Sequence, residues 1–304
     1  MQIISASRRT DIPAFYMQWF MIRVEEGFAY YPNPFGMTLQ RVSLLPTDVH
    51  SIVFWSKHYG PLLANLGKLL DKGYCMCFHY TINNAPRLLE PHSPPWELSV
   101  KIFGELALAT SPKQVFWRFD PIVLTKELDH RFYLNRFREI GSKLQGLTER
   151  CYFSFVNLYG KTKSKMLKKG ISWIQPSLQE KRELAGAMAE LARDWGMKLL
   201  ACCQEDLLGD GIQGARCIDG ELLSELFPDK PPALDPGSTR PGCGCSKSRD
   251  IGMYDTCPMG CVYCYAYQSR QQALNHFKKH DPMGWTLVDM YRGNQRVPQH
   301  VTLK

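Results

Sequence analysis

Short apolar runs alternate along the chain with longer stretches whose apolar residues recur at helical spacing. The runs at residues 3–6, 51–55, 75–80, 114–119, 151–156 and 198–202 have the length and composition of buried strands. Helical patterns separate them. One starts near Pro13, a residue suited to a first turn, and directs Phe15, Trp19, Ile22 and Val24 to a core. Others cover residues 62–70, 96–109, 131–144 and 178–195, and residues 28–31 add a short strand. A chain that returns through a helix after each strand builds a parallel sheet, so an α/β fold is predicted. Six such units fit a partial (β/α)6-type, TIM-like barrel better than a closed eight-stranded one.

The pattern changes after Glu205, where glycine, proline and cysteine replace long periodic segments. Residues 1–205 are therefore expected to form the partial barrel. Residues 206–280 are expected to form a cysteine-rich, loop-rich metal-binding extension over its mouth, and 281–304 a basic polar tail. The hydrophobic share of 44% supplies a full core and argues against disorder. No run approaches about 18 apolar residues, so no membrane span is predicted, and no basic segment leads into an apolar run at residue 1, so no signal peptide is expected. Eleven cysteines without export signals point to a reducing cytoplasm, where thiols serve metals or chemistry. The formal charge of +8 is concentrated partly in Lys161, Lys163, Lys165, Lys168 and Lys169. Such a run reads as a solvated loop, or as a contact to a phosphate backbone.

The most informative stretch is Cys257-Pro258-Met259-Gly260-Cys261-Val262-Tyr263-Cys264. Three thiolates at this spacing can turn toward one point, with Gly260 letting the loop close. Three ligands on a four-iron cluster leave one iron open to substrate or cofactor. A zinc knuckle completed by His276 or His280, or cysteines that bind nothing, are the alternatives. The spacing, with an aromatic before the third cysteine, resembles the cluster-binding loop of the radical S-adenosylmethionine (SAM) enzymes. That resemblance implies a 4Fe-4S cluster on Cys257, Cys261 and Cys264, with Tyr263 beside it. It further implies SAM on the open iron, an electron donor such as flavodoxin or ferredoxin, oxygen sensitivity, and formation of a 5′-deoxyadenosyl radical.

Ile4-Ser5-Ala6-Ser7-Arg8-Arg9-Thr10-Asp11-Ile12-Pro13, Trp117-Arg118-Phe119-Asp120-Pro121-Ile122 and Gly242-Cys243-Gly244-Cys245 belong with that loop. Together they look like a bacterial family of unknown function that carries a radical-SAM-like cysteine cluster at its C-terminal end. The order departs from most radical SAM enzymes, whose cysteine loop follows the first strand; here it follows the last. In a ring of strands the first and last can be neighbours.

Cys202, Cys217, Cys243 and Cys245 could form a second, closed site, either an auxiliary cluster or zinc, with Cys203 as a substitute ligand. Cys75, Cys77 and Cys151 read as core or lining residues. Polar groups gather where the strands end, the rim on which α/β folds place their chemistry. Arg118 and Asp120 project to one side of their strand. With Arg8, Arg9, Asp11 and Glu205 they are expected to line one cavity that the open iron faces. The favoured reading is thus a radical SAM-type enzyme acting on a small-molecule or nucleotide-like substrate. One alternative is an iron–sulfur lyase or isomerase that uses the open iron as a Lewis acid without SAM. The other is a non-catalytic, metal-stabilised module that binds nucleic acid through the basic run and Tyr263, Tyr265 and Tyr267.

Overall fold

The structure is a computed structural model, and it describes residues 1–33 and 38–288. In chain order its elements are β1 (Gln2–Ala6), α1 (Ile12–Phe15), α2 (Met17–Glu26), β2 (Phe28–Pro32), β3 (Leu39–Ser43), β4 (Val49–Ser56), α3 (Gly60–Leu63), α4 (Leu66–Asp71), β5 (Met76–Thr81), α5 (Trp96–Ala109) and β6 (Val115–Ile122). There follow α6 (His130–Leu144), β7 (Arg150–Phe155), α7 (Gly160–Lys168), α8 (Leu178–Asp194), β8 (Lys198–Ala201), β9 (Ile212–Gly214), α9 (Gly220–Leu226), β10 (Ser248–Asp250) and α10 (Arg270–Lys278). A single 3-10 turn, Glu205–Leu207, precedes β9.

Eight strands form one sheet in the order β10-β1-β4-β5-β6-β7-β8-β9, and every pairing in it is parallel. From β1 to β9 the strands lie in sequence order. Right-handed crossovers between strands added in one direction put the helices that connect them on one face. The core divides accordingly, because neighbouring residues of a strand point to opposite faces. Ile52 and Phe54 of β4, Phe78 of β5, Trp117 and Phe119 of β6 and Phe153 of β7 pack against helix residues such as Phe20, Leu66, Phe103, Phe137 and Met188. Val53, Cys77, Phe116, Tyr152 and Leu200 face the other way and meet Ala215, Ile218, Leu222, Leu223 and Cys245. The segment after β9 thus supplies the apolar cover for the inner face. The two outermost strands, β10 and β9, are not paired with each other, so the sheet is open. β2 and β3 form a separate antiparallel pair.

The extension contributes β9 and β10 to the main sheet, β10 beside β1. The lysine run, expected as a loop, is helix α7, with Thr162 and Met166 buried one helical turn apart. Of the expected basic tail, 289–304 lie outside the described residues.

The cover depends on close backbone approach at Gly220. A Cβ there would stand 2.1 Å from the Ala233 carbonyl oxygen and 2.5 Å from Ser246 Oγ. Backbone cannot swing aside as a long side chain can. Gly220→Ala should therefore lower stability by about 1–3 kcal/mol, the usual range for overpacking. Chemical denaturation measures it, and an unchanged midpoint would show that the cover is loosely seated.

Candidate functional site

The carboxyl ends of the strands hold the polar residues of this chain. At the first of them β10 and β1 are joined by Asp250, which accepts from Ser5 Oγ at 2.7 Å, Ser7 Oγ at 2.5 Å, the Arg8 amide at 2.9 Å and Arg9 Nε at 3.2 Å. Burial raises the Asp250 carboxyl, but Arg9 and these donors outweigh it and hold the group below the ordinary range. Arg9 is thereby a buried ion-pair partner. Arg8 lies over the Trp55 ring, 5.3 Å from its centroid. Asp11 caps α1 through the Ala14 amide and accepts from Ser56 Oγ at 2.6 Å and the Lys57 amide at 3.0 Å. Desolvation pushes its carboxyl up to about 6 against those bonds.

Next along the rim is a buried carboxylate. Glu90 Oε1 accepts from Lys57 Nζ at 2.9 Å, from Asn83 Nδ2 at 2.9 Å and from the Tyr263 hydroxyl, while Ser93 Oγ donates to Oε2 at 2.8 Å. Asn83 continues the network, accepting from the Asp120 amide at 2.9 Å and donating to the Asp120 carbonyl at 3.0 Å. The Asp120 carboxylate binds Arg118 Nη2 at 2.5 Å and accepts from Ser154 Oγ. Arg118 Nη1 also reaches His79 Nδ1 at 3.5 Å and Cys217 Sγ at 3.4 Å. Burial first, then Arg118, push His79 down to about 3, so it is neutral. Its Nε2–H then faces the Cys217 carbonyl at 2.7 Å. A cleft of about 450 Å³ opens on this network between the end of β5 and helices α5 and α6, with Lys57, Asn83 and Glu90 in its wall.

The Cys257–Cys264 loop follows β10 and lies on the same end of the sheet. The Val262 amide donates to the Leu89 carbonyl at 2.9 Å, next to Glu90. Lys165 of α7 holds the other side through the carbonyls of Cys264 and Tyr267. Gly260 has φ +81°, and a Cβ there would stand 2.8 Å from Arg270 Cδ. Cys261 is buried and Cys257 and Cys264 half-buried, and desolvation pushes all three thiols up. Cys257 also feels the charge of Cys261 and Cys264, and Cys261 that of Cys264, while Lys57 acts on Cys261 and Cys264 in the opposite sense. The donor set fits a multi-iron group: three soft ligands from one loop, beside a cation. Among the described residues no three His, Cys, Asp or Glu side chains converge on one ion. Ligands of a cluster bind separate irons and need not converge.

The structure thus brings Arg118 and Asp120 into one network with Tyr263, and places Asp11 next to it through Lys57. Arg9 is engaged at Asp250. Glu205 is exposed and lies near Gly242, outside the network. Nothing in the sequence singles out Glu90, Asp250 or Ser154. Glu90 sits in a proline-rich loop and Asp250 in a three-residue strand, where no periodic signal marks them.

An open parallel α/β sheet with a buried polar network and a three-cysteine loop at its carboxyl end is the class of protein these features define. The model of a family described as a domain of unknown function, DUF1848, matches residues 3–266. The chain belongs to that family. No curated protein matches it.

Glu90 is held below the usual glutamate value of 4.5: burial opposes this, and Lys57 and the Tyr263 hydroxyl outweigh burial. Its titration is lower folded than unfolded, so its contribution is present at neutral pH and lost as the pH falls below about 4.5. Glu90→Gln leaves the Lys57 ammonium buried without a counter-charge, which should cost about 3–5 kcal/mol at pH 7. Urea unfolding at a series of pH values should show a lowered plateau and a flatter acid limb for the variant. Equal stability at pH 7 would mean that Lys57 finds water or another anion.

Proposed function

We propose that the chain is an iron–sulfur enzyme of radical SAM type, built on a (β/α)6-type partial barrel, with a cluster on Cys257, Cys261 and Cys264. The observation that carries this reading is the Tyr263–Glu90 hydrogen bond, which joins the cysteine loop to the polar network of the strand ends. The position of β10 supports it too. The loop comes late in the sequence, yet it leaves a strand paired with β1, so it enters the site from beside the first strand. Sequential parallel strands whose connecting helices lie on one face are what a partial barrel requires.

A four-iron cluster bound there would supply an electron and an iron open to SAM. The chain's own residues would do the rest. Lys57 and Arg118 are buried cations whose carboxylate partners leave further donors free to face an anionic or polar substrate group. Asn83 and Ser154 fix the orientation of Asp120 and Glu90, so these donors are held in place before any substrate arrives. The cleft beside Lys57 and Glu90 has the size for a small-molecule or nucleotide-like substrate. An acidic carrier such as flavodoxin or ferredoxin would deliver the electron. All eleven cysteines are free thiols, which suits a reducing cytoplasm. No helix among the described residues is long and apolar enough to cross a membrane.

Purified and reconstituted without air, the protein should be brown and oxygen-sensitive. Replacing Cys257, Cys261 and Cys264 together by Ala should remove about four irons per chain, the content of one cluster. Wild type reduced in the presence of SAM should release 5′-deoxyadenosine, and the triple variant should not. Iron without 5′-deoxyadenosine would turn the reading to a lyase or isomerase with a Lewis-acid iron. Unchanged iron in the triple variant would reject the cluster.

A further inference from the structure

We propose that Cys202, Cys217, Cys243 and Cys245 form a second, closed thiolate site for a single zinc-type ion, independent of the Cys257–Cys264 loop. Cys202 follows β8 on the inner face of the sheet, and the other three cysteines come from the cover that packs on that face. Cys202 Sγ and Cys217 Sγ are 3.6 Å apart. Two sulfurs bound at about 2.3 Å to one tetrahedral ion stand about 3.8 Å apart, whereas ligands of a four-iron cluster sit on different irons and lie further apart. Cys245 is drawn to the same place by the Ile218 amide, next to Cys217, which donates to its Sγ, and Cys243 lies two residues before Cys245 in the same packed cluster. The four cysteines therefore gather in one cluster, drawn from three separate segments. To enclose an ion, Cys243 and Cys245 must swing toward the Cys202–Cys217 pair, since among the described residues no three such side chains converge on a point as they stand.

The charges around the sulfurs point the same way. Arg118 Nη1 donates to Cys217 Sγ at 3.4 Å and Arg240 Nη2 to Cys202 Sγ at 3.3 Å. Arg240 Nε donates to Cys203 Sγ at 3.0 Å, and among the described residues this guanidinium forms no salt bridge with a carboxylate. Arg8, whose buried Nε has no hydrogen-bond partner among the described residues, acts electrostatically on Cys245. The Ile218 amide donates to Cys245 Sγ at 3.4 Å. Guanidinium stays protonated; Arg118 already has Asp120 as its partner, but Arg240 set against neutral thiols would keep its charge uncompensated. Four thiolates around a divalent ion carry a net charge of about −2, which these arginines would balance. Outer donors of this kind also orient metal ligands. Cys203, turned to Arg240 with a left-handed backbone at φ +52°, is left outside the ligand set.

An ion there would fasten β8, the residue 217 loop and the residue 243–245 loop together, holding the cover on the inner face and Arg118 in its position toward Asp120.

Metal analysis of the full chain tests this. Wild type and the Cys257/Cys261/Cys264 triple-Ala variant should each carry about one zinc per chain. Cys217→Ser and Cys245→Ser should each reduce it to near zero, while Cys203→Ser should retain it. In case the serine variants fail to fold, cobalt(II) added to chelator-stripped wild type gives an independent measurement. A thiolate-to-cobalt charge-transfer band with intense visible bands of tetrahedral cobalt is expected. Absence of both zinc and those bands overturns the site. About four irons with acid-labile sulfide in the triple-Ala variant overturn the zinc assignment in favour of an auxiliary cluster. Loss of zinc in Cys203→Ser overturns the ligand set. Because the triple-Ala variant lacks the cysteine loop's thiols, failure of this site and failure of the loop cluster are read separately.

Discussion

One oxygen of the Glu90 carboxylate accepts from Lys57, Asn83 and Tyr263 at once. Those three residues come from the end of β4, the end of β5 and the cysteine loop, and Tyr263 lies 173 positions along the chain from Glu90. A carboxylate that is 3% exposed needs several donors to remain charged, and this one finds them only if all three segments meet. The same requirement constrains Lys57, whose ammonium has lost most of its water. The position of the cysteine loop over the sheet is thus fixed by electrostatics at one atom, with the Val262–Leu89 backbone bond and the Lys165 clamp as secondary restraints. A loop held this way keeps its orientation toward the rim without a regular element of its own.

A second such carboxylate, Asp250, works on the other side of the loop. The β10 strand has the sequence Ser248-Arg249-Asp250, with nothing apolar to draw it into a sheet. What seats it is the set of donors offered by Ser5, Ser7, Arg8 and Arg9 at the end of β1. The two carboxylates divide the labour: Asp250 brings the late part of the chain to the first strand, and Glu90 then orients the loop that follows. Both contacts are formed by charged groups in low dielectric, where an unmatched partner is expensive and alternative placements are correspondingly few.

This explains which parts of the molecule were legible in the sequence. The six central strands were, because a parallel strand covered on both faces is an uninterrupted apolar run, as in Ile52-Val53-Phe54-Trp55. So were α5, α6 and α8, whose buried positions recur at helical spacing. The shared side of Arg118 and Asp120 also followed from period-two geometry, while their ion pair is seen only in the folded chain. The strands β9 and β10 were not, since three residues are too few to show a period. Helix α7 was hidden because only Thr162 and Met166 are buried in it and the lysines dominate its pattern. Glu90 and Asp250 act over distances of many residues, and nothing local separates them from any surface acid. The coarse architecture is written in periodicity, while the assembly of the site is written in pairings that only the folded chain displays.

Arg118 connects the two groups of cysteines. Its Nη2 side holds Asp120, which leads through Asn83 and Glu90 to Tyr263 in the cysteine loop; its Nη1 side touches Cys217 in the cover. A guanidinium is planar and rigid, so it cannot shift toward one partner without withdrawing from the other. Any change in charge at the Cys217 group would therefore be felt at Asp120 as an altered competition for the same cation. That contact makes the cover more than a lid: its sulfurs take part in setting how strongly Arg118 binds Asp120. Since Asp120 and Lys57 flank the same network, the strength of that pairing decides how much positive charge the network presents toward the cleft lined by Lys57.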